Sequence, residues 1–395
     1  MDILSFVDSL SFIWETGLPF LVALTILVFV HELGHYAVAR WAGVRVEVFS
    51  IGFGTELKGW DDSRGTRWKF CAIPLGGYVK MFGESETVAE EDEDGEETER
   101  PMTEPEKAVS FHHKTLMQRA AIVVAGPLVN FVFAILLFAG LFSIAGVPQL
   151  DTSQPLQAVV GSGSSGSPAD IAKLQRGDKI LKMGAVDIAS FGDLQAIVRK
   201  SPGVRMAVRI ERGGQIISVF VIPSRREVRQ AGGTVAIQGL LGITAQPGKV
   251  LYVRKNPLTA IGLGFERTYA MTVRILEYLR DIIAGAQSAD DLGGIIRIAQ
   301  ISGQVAELGL ASYISFLAVL SVNLGLINLF PIPLLDGGHL AFYAIEAIRG
   351  KPLGMKAQEY GFRFGLIFVV ALFLFVTWND LVHLKFFEII KNLFT

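Results

Sequence analysis

The chain has 395 residues, 51% hydrophobic and 19% charged, with a formal net charge of −2 and a mean hydropathy of +0.43. Soluble domains carry about 25% charged residues, so this composition excludes a disordered chain. The charge balance argues against a nucleic-acid partner, which selects a basic field. A single cysteine, Cys71, excludes a disulfide framework and a cysteine-built zinc site. An integral membrane protein with a water-soluble part remains.

A membrane-spanning helix needs about 20 mainly apolar residues. The first such stretch covers residues 17–41 and contains the uninterrupted run Leu18 to Val30. Asp2, Asp8 and Glu15 precede it and no basic residue does, so it reads as a span rather than a cleaved signal peptide. Within it lies His31-Glu32-Leu33-Gly34-His35. Residues four apart share one face of a helix. Both imidazoles can therefore bind one Zn²⁺, with Glu32 beside it to take a proton from water. Ionisable groups inside a span are costly and are usually functional.

Residues 49–82 read as extended: two Gly-punctuated apolar runs flank a polar turn, Asp61 to Arg67. An open strand edge around Gly77 and Tyr78 could pair with an unwound substrate and leave its peptide bonds accessible. Residues 84–106, with Glu90-Glu91-Asp92-Glu93-Asp94, read as a solvated, disordered acidic loop. Residues 111–119 read as a short amphipathic segment, its His112 and His113 interfacial rather than ligating. The second span covers residues 120–147, with Asn130 its one strongly polar residue.

A soluble region follows. Ser167-Pro168-Ala169, Leu174 to Ile180 and Phe191 to Leu194, followed by strand-like alternation at residues 206–210 and 216–221, resemble a bacterial, circularly permuted PDZ domain over residues 159–223. Residues 225–249 are too short for a second one. Residues 256–284 repeat apolar side chains at helical spacing among six charges, which predicts an amphipathic helix lying on the membrane. The third span covers residues 311–335, with Asn323 and Asn328, and a fourth covers 360–378. Asp336 follows the third span in a Pro- and Gly-rich break. It is favoured over His339 as the third ligand that a catalytic zinc requires. Arg40 and Arg45 after the first span, and Arg349, Lys351 and Lys356 between the last two, place the N-terminus outside. The loop between the first two spans is then cytoplasmic and residues 148–313 are extracytoplasmic.

His31 to His35, Gly126-Pro127-Leu128-Val129-Asn130 and Asn328 to Gly337 together resemble the site-2 protease family of intramembrane zinc metalloproteases, nearest its bacterial sigma-E regulator protease branch. The resemblance implies His31, His35 and Asp336 as zinc ligands, Glu32 as catalytic base, and Asn323 and Asn328 as residues that hold substrate. It implies a β-hairpin dipping into the membrane and a multi-pass protein of the bacterial inner membrane, its PDZ-like domain periplasmic and its active site toward the cytoplasm. Substrates would be single-span membrane proteins, either anti-sigma-factor-like regulators or signal-peptide remnants, with a peptide or regulator as candidate ligand of the PDZ-like domain. A non-catalytic scaffold, the rival reading, would have no need of Glu32. The expected architecture is a polytopic α-helical membrane protein of about four spans, with the hairpin and one PDZ-like α+β domain. Its parts are 1–147, 148–225, a linker with the interfacial helix over 226–310, and 311–395.

Overall fold

In a computed structural model, which describes residues 13–84, 87–91, 97–151, 155–229, 235–246, 250–289 and 293–384, the first apolar segment forms helix α1 (Leu18–Trp41). It ends where Gly43 takes a left-handed conformation, φ 72°, and donates to Arg40 O. Its buried residues, Ala23, Leu27, His31, Gly34, His35 and Ala39, recur every three or four positions and so form one face. Strands β1 (Val46–Asp61) and β2 (Arg67–Met81) follow. The ladder is more folded than a plain hairpin. Residues 46–51 pair with 77–81 on one side and meet residues 67–70 on the other, and 58–61 lie beyond those. Phe49 stacks on Trp68 at 4.3 Å and Tyr36 of α1 meets Trp68 edge-on at 5.1 Å, so aromatic contacts fix the ladder to α1.

The acidic stretch departs from its expected disorder. Strand β3 (Thr87–Glu91) pairs with β4 (Glu97–Pro101), and helix α2 (Glu104–Val109) follows. Arg100 makes a two-pronged ion pair with Glu106, at 2.9 and 2.7 Å, and Glu106 also accepts from Thr103 N. Opposite charge and a capping box thus order the segment's end. Residues 92–96, which include Asp92, Glu93 and Asp94 of the acidic run, lie outside the described residues. The expected amphipathic segment at 111–119 is also different. Thr115 caps helix α3 (Leu116–Ile144), so residues 116–119 are the first turn of the second span.

Residues 146–253 form a compact unit of their own. In chain order it comprises β5 (Val147–Leu150), β6 (Val160–Gly163), α4 (Pro168–Ile171), β7 (Lys179–Met183), β8 (Val186–Asp187), α5 (Phe191–Lys200), β9 (Met206–Arg212) and β10 (Gln215–Val221). Then come β11 (Ser224–Arg229), β12 (Val235–Leu240), β13 (Ile243–Ala245) and β14 (Val250–Val253). The sheet order is β10-β9-β7-β8. Ile180, Met183, Val208, Ile210 and Val221 pack with Leu194 and Val198 of α5. The alternation expected at 206–210 is met by burial of Val208 and Ile210. The unit runs past the boundary expected at residue 225. Leu241 joins its core, β13 pairs with β6, and β14 pairs with β5. Asp178, 1% exposed, accepts two hydrogen bonds from Arg212, at 2.7 and 2.6 Å, and one from Gln175 N at 2.8 Å.

Helices α6 (Pro257–Ile283), α7 (Ile295–Glu307), α8 (Leu310–Asn328), α9 (Asp336–Arg349) and α10 (Met355–His383) complete the other unit, residues 1–145 with 254–395. Among the described residues, four helices are long and apolar enough to span a bilayer: Trp14–Trp41, Leu116–Ile144, Leu310–Asn328 and Lys356–Val382. The third ends at Asn328 rather than 335, because Pro331 and Pro333 disfavour helix in the residues before them. Helix α6 is amphipathic as expected, but it packs on α3 through Ala260, Gly264 and Thr268 rather than only lying on a lipid surface. A Cβ at Gly264 would sit 2.6 Å from Ile135 O. Small residues mediate the other crossings too: a Cβ at Gly34 would collide with Ala125 O, and one at Gly325 would lie 2.9 Å from Pro127 O. This is how helices associate in lipid, where close backbone approach replaces the hydrophobic drive. Asp380 of α10 accepts from Gly294 N and Arg297 N at 2.9 and 3.1 Å, capping α7 from another helix.

Candidate metal centre

His31 and His35 project from the buried face of α1 toward Asp336, the first residue of α9. His31 Nε2 lies 3.2 Å from Asp336 Oδ2, His35 Nε2 lies 3.5 Å from Asp336 Oδ1, and the two Nε2 atoms are 3.3 Å apart. Two donors about 2.0–2.1 Å from a tetrahedral zinc ion are separated by about 3.3 Å. All three distances match that edge, so the donor set fits zinc. Asp336 Oδ2 is also buried without a hydrogen-bond partner among the described residues. The sequence between Asn328 and Gly338 explains how the carboxylate reaches the histidines. The prolines stop α8, and Leu334 adopts a left-handed φ of 91°. A Cβ at Gly338 would lie 2.5 Å from Ile332 O, so the first turn of α9 nests against that loop only with glycine there. At the start of α9, the carboxylate also meets the positive end of the helix dipole.

The other side of the centre is built by α3. A Cβ at Gly126 would collide with the His35 ring and lie 2.9 Å from His31 Cε1. His35 Nδ1 is 2.9 Å from Ile122 O, and His31 Nδ1 is 3.1 Å from the Asn130 side chain. Both ring nitrogens remote from Asp336 are thus held by the same helix. Pro127 lacks an N–H to continue the helical ladder, and its own carbonyl faces Gly325.

The centre opens into a cavity of about 620 Å³ that Glu32, Gly77, Tyr78, Asn328 and His339 also line. Gly77 presses on α1: a Cβ there would be 2.8 Å from Val28 and 3.3 Å from Glu32 Cγ. Strand β2 thus lies directly against the Glu32 side chain. Asn323 is not among the residues that line the cavity; its amide donates to Val319 O at 3.0 Å in its own helix. His339 lines the cavity but is not part of the three-residue cluster. Farther along α9, Arg119 pairs with Glu346 at 2.6 Å and sits over the Tyr343 ring. Burial pushes the Tyr343 hydroxyl up to about 12. The roles of Gly126 and of the Arg119–Glu346 pair were not drawn from the sequence. Asn130 carried a signal, being the one strongly polar residue of its span.

The family model described as peptidase family M50 matches residues 19–372. The chain belongs to peptidase family M50. This site-2 protease family consists of membrane-embedded metalloproteases, and the chain is an integral membrane zinc metalloprotease. A Rhizobium meliloti protein named as a zinc metalloprotease is 45% identical over 92% of this chain and 95% of its own. An Agrobacterium fabrum protein of the same description is 42% identical over 92% of this chain and 94% of its own. The metalloprotease MmpA of Caulobacter vibrioides is 38% identical over 95% and 97%. Among solved structures, the PDZ domain of an SdrC-like protein from Listeria monocytogenes is similar over 23% of this M50 chain and 90% of its own. That match has 17% identity and a TM-score of 0.18, which assigns no fold.

Proposed function

We propose that this M50 peptidase cuts peptide bonds within the membrane-spanning segments of single-span membrane proteins, with His31, His35 and Asp336 as zinc ligands and Glu32 as catalytic base. The observation that carries this reading is the His-His-Asp cluster with tetrahedral spacing part-way along an apolar helix of spanning length, beside Glu32. Bound zinc supplies Lewis acidity that polarises the scissile carbonyl. Glu32 removes a proton from the attacking water and passes it to the leaving nitrogen. Strand β2 lies against its side chain at Gly77.

A helix hides its carbonyls in internal hydrogen bonds, so substrate must unwind before it is cut. Residues 77–81 pair with β1 on one edge, and no further strand covers the other among the described residues. The Gly77–Tyr78 segment receives the unwound chain there by strand addition, and Asn328 in the same cavity holds a substrate amide. Asn323 acts less directly, through the helix that carries Asn328. The substrates are anti-sigma-factor-like regulators or signal-peptide remnants. The protein lies in the bacterial inner membrane with its centre toward the cytoplasm and residues 146–253 periplasmic. That unit, PDZ-like in its strand and helix sequence, selects what reaches the membrane part. Purified protein, a helix-destabilised transmembrane peptide and Glu32→Gln test the central claim. Zinc-dependent cleavage within the peptide's apolar stretch is expected, and cleavage confined to its flanks would overturn it.

A further inference from the structure

We propose that Asn130 is a positioning residue of the metal centre: its side-chain oxygen accepts a hydrogen bond from His31 Nδ1–H and so fixes which ring nitrogen of His31 faces the metal. This rests on the reading of His31, His35 and Asp336 as ligands. A neutral imidazole carries one N–H, and the nitrogen that offers its lone pair to a metal leaves the hydrogen on the other. The Nε2 atoms of His31 and His35 both face Asp336. Each Nδ1 must then carry the hydrogen, and each histidine is at least nine-tenths buried, so each N–H needs an acceptor.

His35 has the Ile122 carbonyl at 2.9 Å, which can only accept. Among the described residues, His31 Nδ1 has only the Asn130 side chain, at 3.1 Å, and Asn130 is fully buried. With the amide nitrogen at that contact, His31 Nδ1 would be the acceptor and its hydrogen would sit on Nε2, blocking the metal. The nitrogen and oxygen of a carboxamide are told apart by their hydrogen bonds. A half-turn of the group gives Oδ1 its donor and His31 the ligand tautomer. The Asn130 backbone is fixed for this task, because Ser321 Oγ of α8 donates to Asn130 O at 2.8 Å. One asparagine thus ties α1, α3 and α8 together at the centre.

The test measures zinc affinity by chelator competition on the full chain in detergent, with helix content and melting of the zinc-free form as the fold control. Asn130→Ala should weaken zinc binding by about 10–100-fold, as loss of such outer contacts does, with the zinc-free fold retained. Asn130→Asp keeps an acceptor and loses the donor, so it should bind zinc at least as tightly as wild type. A purely structural asparagine would leave affinity unchanged in both, and a donor role would make Asn130→Asp as weak as Asn130→Ala; either result overturns the proposal. If Asn130→Asp fails to fold, Asn130→Ala decides alone: affinity within about two-fold of wild type rejects the role. His31→Ala in the same series separates the two readings. If it binds zinc like wild type, the ligand assignment fails and this inference with it; if it loses zinc while Asn130→Ala does not, only the role of Asn130 fails.

Discussion

His31 Nε2 and His35 Nε2 lie 3.3 Å apart across one turn of α1, with their rings held by Asn130 and by the Ile122 carbonyl of α3. The i, i+4 spacing puts two of the three donors on one helix face, whereas Asp336 arrives from a segment some three hundred residues later. Removing that carboxylate should cost the centre its third donor. Asp336→Asn is expected to lose most bound zinc in elemental analysis while helix content persists. Unchanged zinc would remove Asp336 from the centre.

Glu32→Gln should abolish cleavage and spare the metal. Glutamine is nearly isosteric but cannot take a proton, and loss of a general base costs about 10²–10⁴-fold in rate. Zinc content together with peptide turnover checks this. A mutant that keeps zinc and cleaves within a few-fold of wild type is incompatible with Glu32 as the base.

Gly126→Ala should disturb the centre without touching a ligand. The added methyl meets both imidazoles, whereas a Cβ at Gly140 in the same helix meets nothing within 4 Å. Overpacking costs about 1–3 kcal/mol, here directed at the ring positions. The expected outcome is reduced zinc affinity for Gly126→Ala and wild-type affinity for Gly140→Ala, measured by the same chelator competition. Equal affinities would show that α3 yields at Gly126.

The soluble unit should weaken in acid through Asp178. Burial alone would raise its carboxyl pKa, but the Arg212 guanidinium and the Gln175 N–H outweigh burial and hold it below the usual carboxylate range. The stability this contributes is complete above the unfolded value, about 3.9, and is lost as pH falls through the lower folded value. Hydrogen exchange in β7 and β9 should therefore accelerate below about pH 4 in wild type, and much less steeply in Asp178→Asn. Arg212→Met, which leaves the buried carboxylate unpaired, should destabilise the unit by about 3–5 kcal/mol at neutral pH.

The legible features were those with local causes. The four spans follow from runs of apolar residues, the histidine pair from i, i+4 spacing, and β9 and β10 from alternation. What escaped depends on contacts between distant segments. Gly126 reads as an ordinary small residue of an apolar helix until the imidazoles are placed beside it. The 146–253 unit extends past its expected end because β13 and β14 find partners about eighty and about one hundred residues earlier, and pairing of that range leaves little trace in composition. The α6 surface shows the same limit. Its charges predict an interface, but Gly264, against Ile135 O, reveals a helix partner.

The ladder of β5 with β14 has a consequence for how the chain is organised. Val147 is paired with Val253 and Leu150 with Val250, and directly opposed residues in such a ladder lie about 4.5–5.5 Å apart. The peptide thus leaves the membrane part and returns to it through neighbouring positions, as the two arms of a hairpin do. To the helices on either side, everything between is one long excursion with a closed neck, and each doubling of such an excursion costs only about 0.6 kcal/mol of closure entropy. The arrangement makes residues 148–252 a cassette. A tight turn, or an unrelated domain with adjacent termini, can be grafted there without altering the reach that Ala145 and Arg254 must span, whereas a cut at residue 225 would part β13 and β14 from their partners β6 and β5.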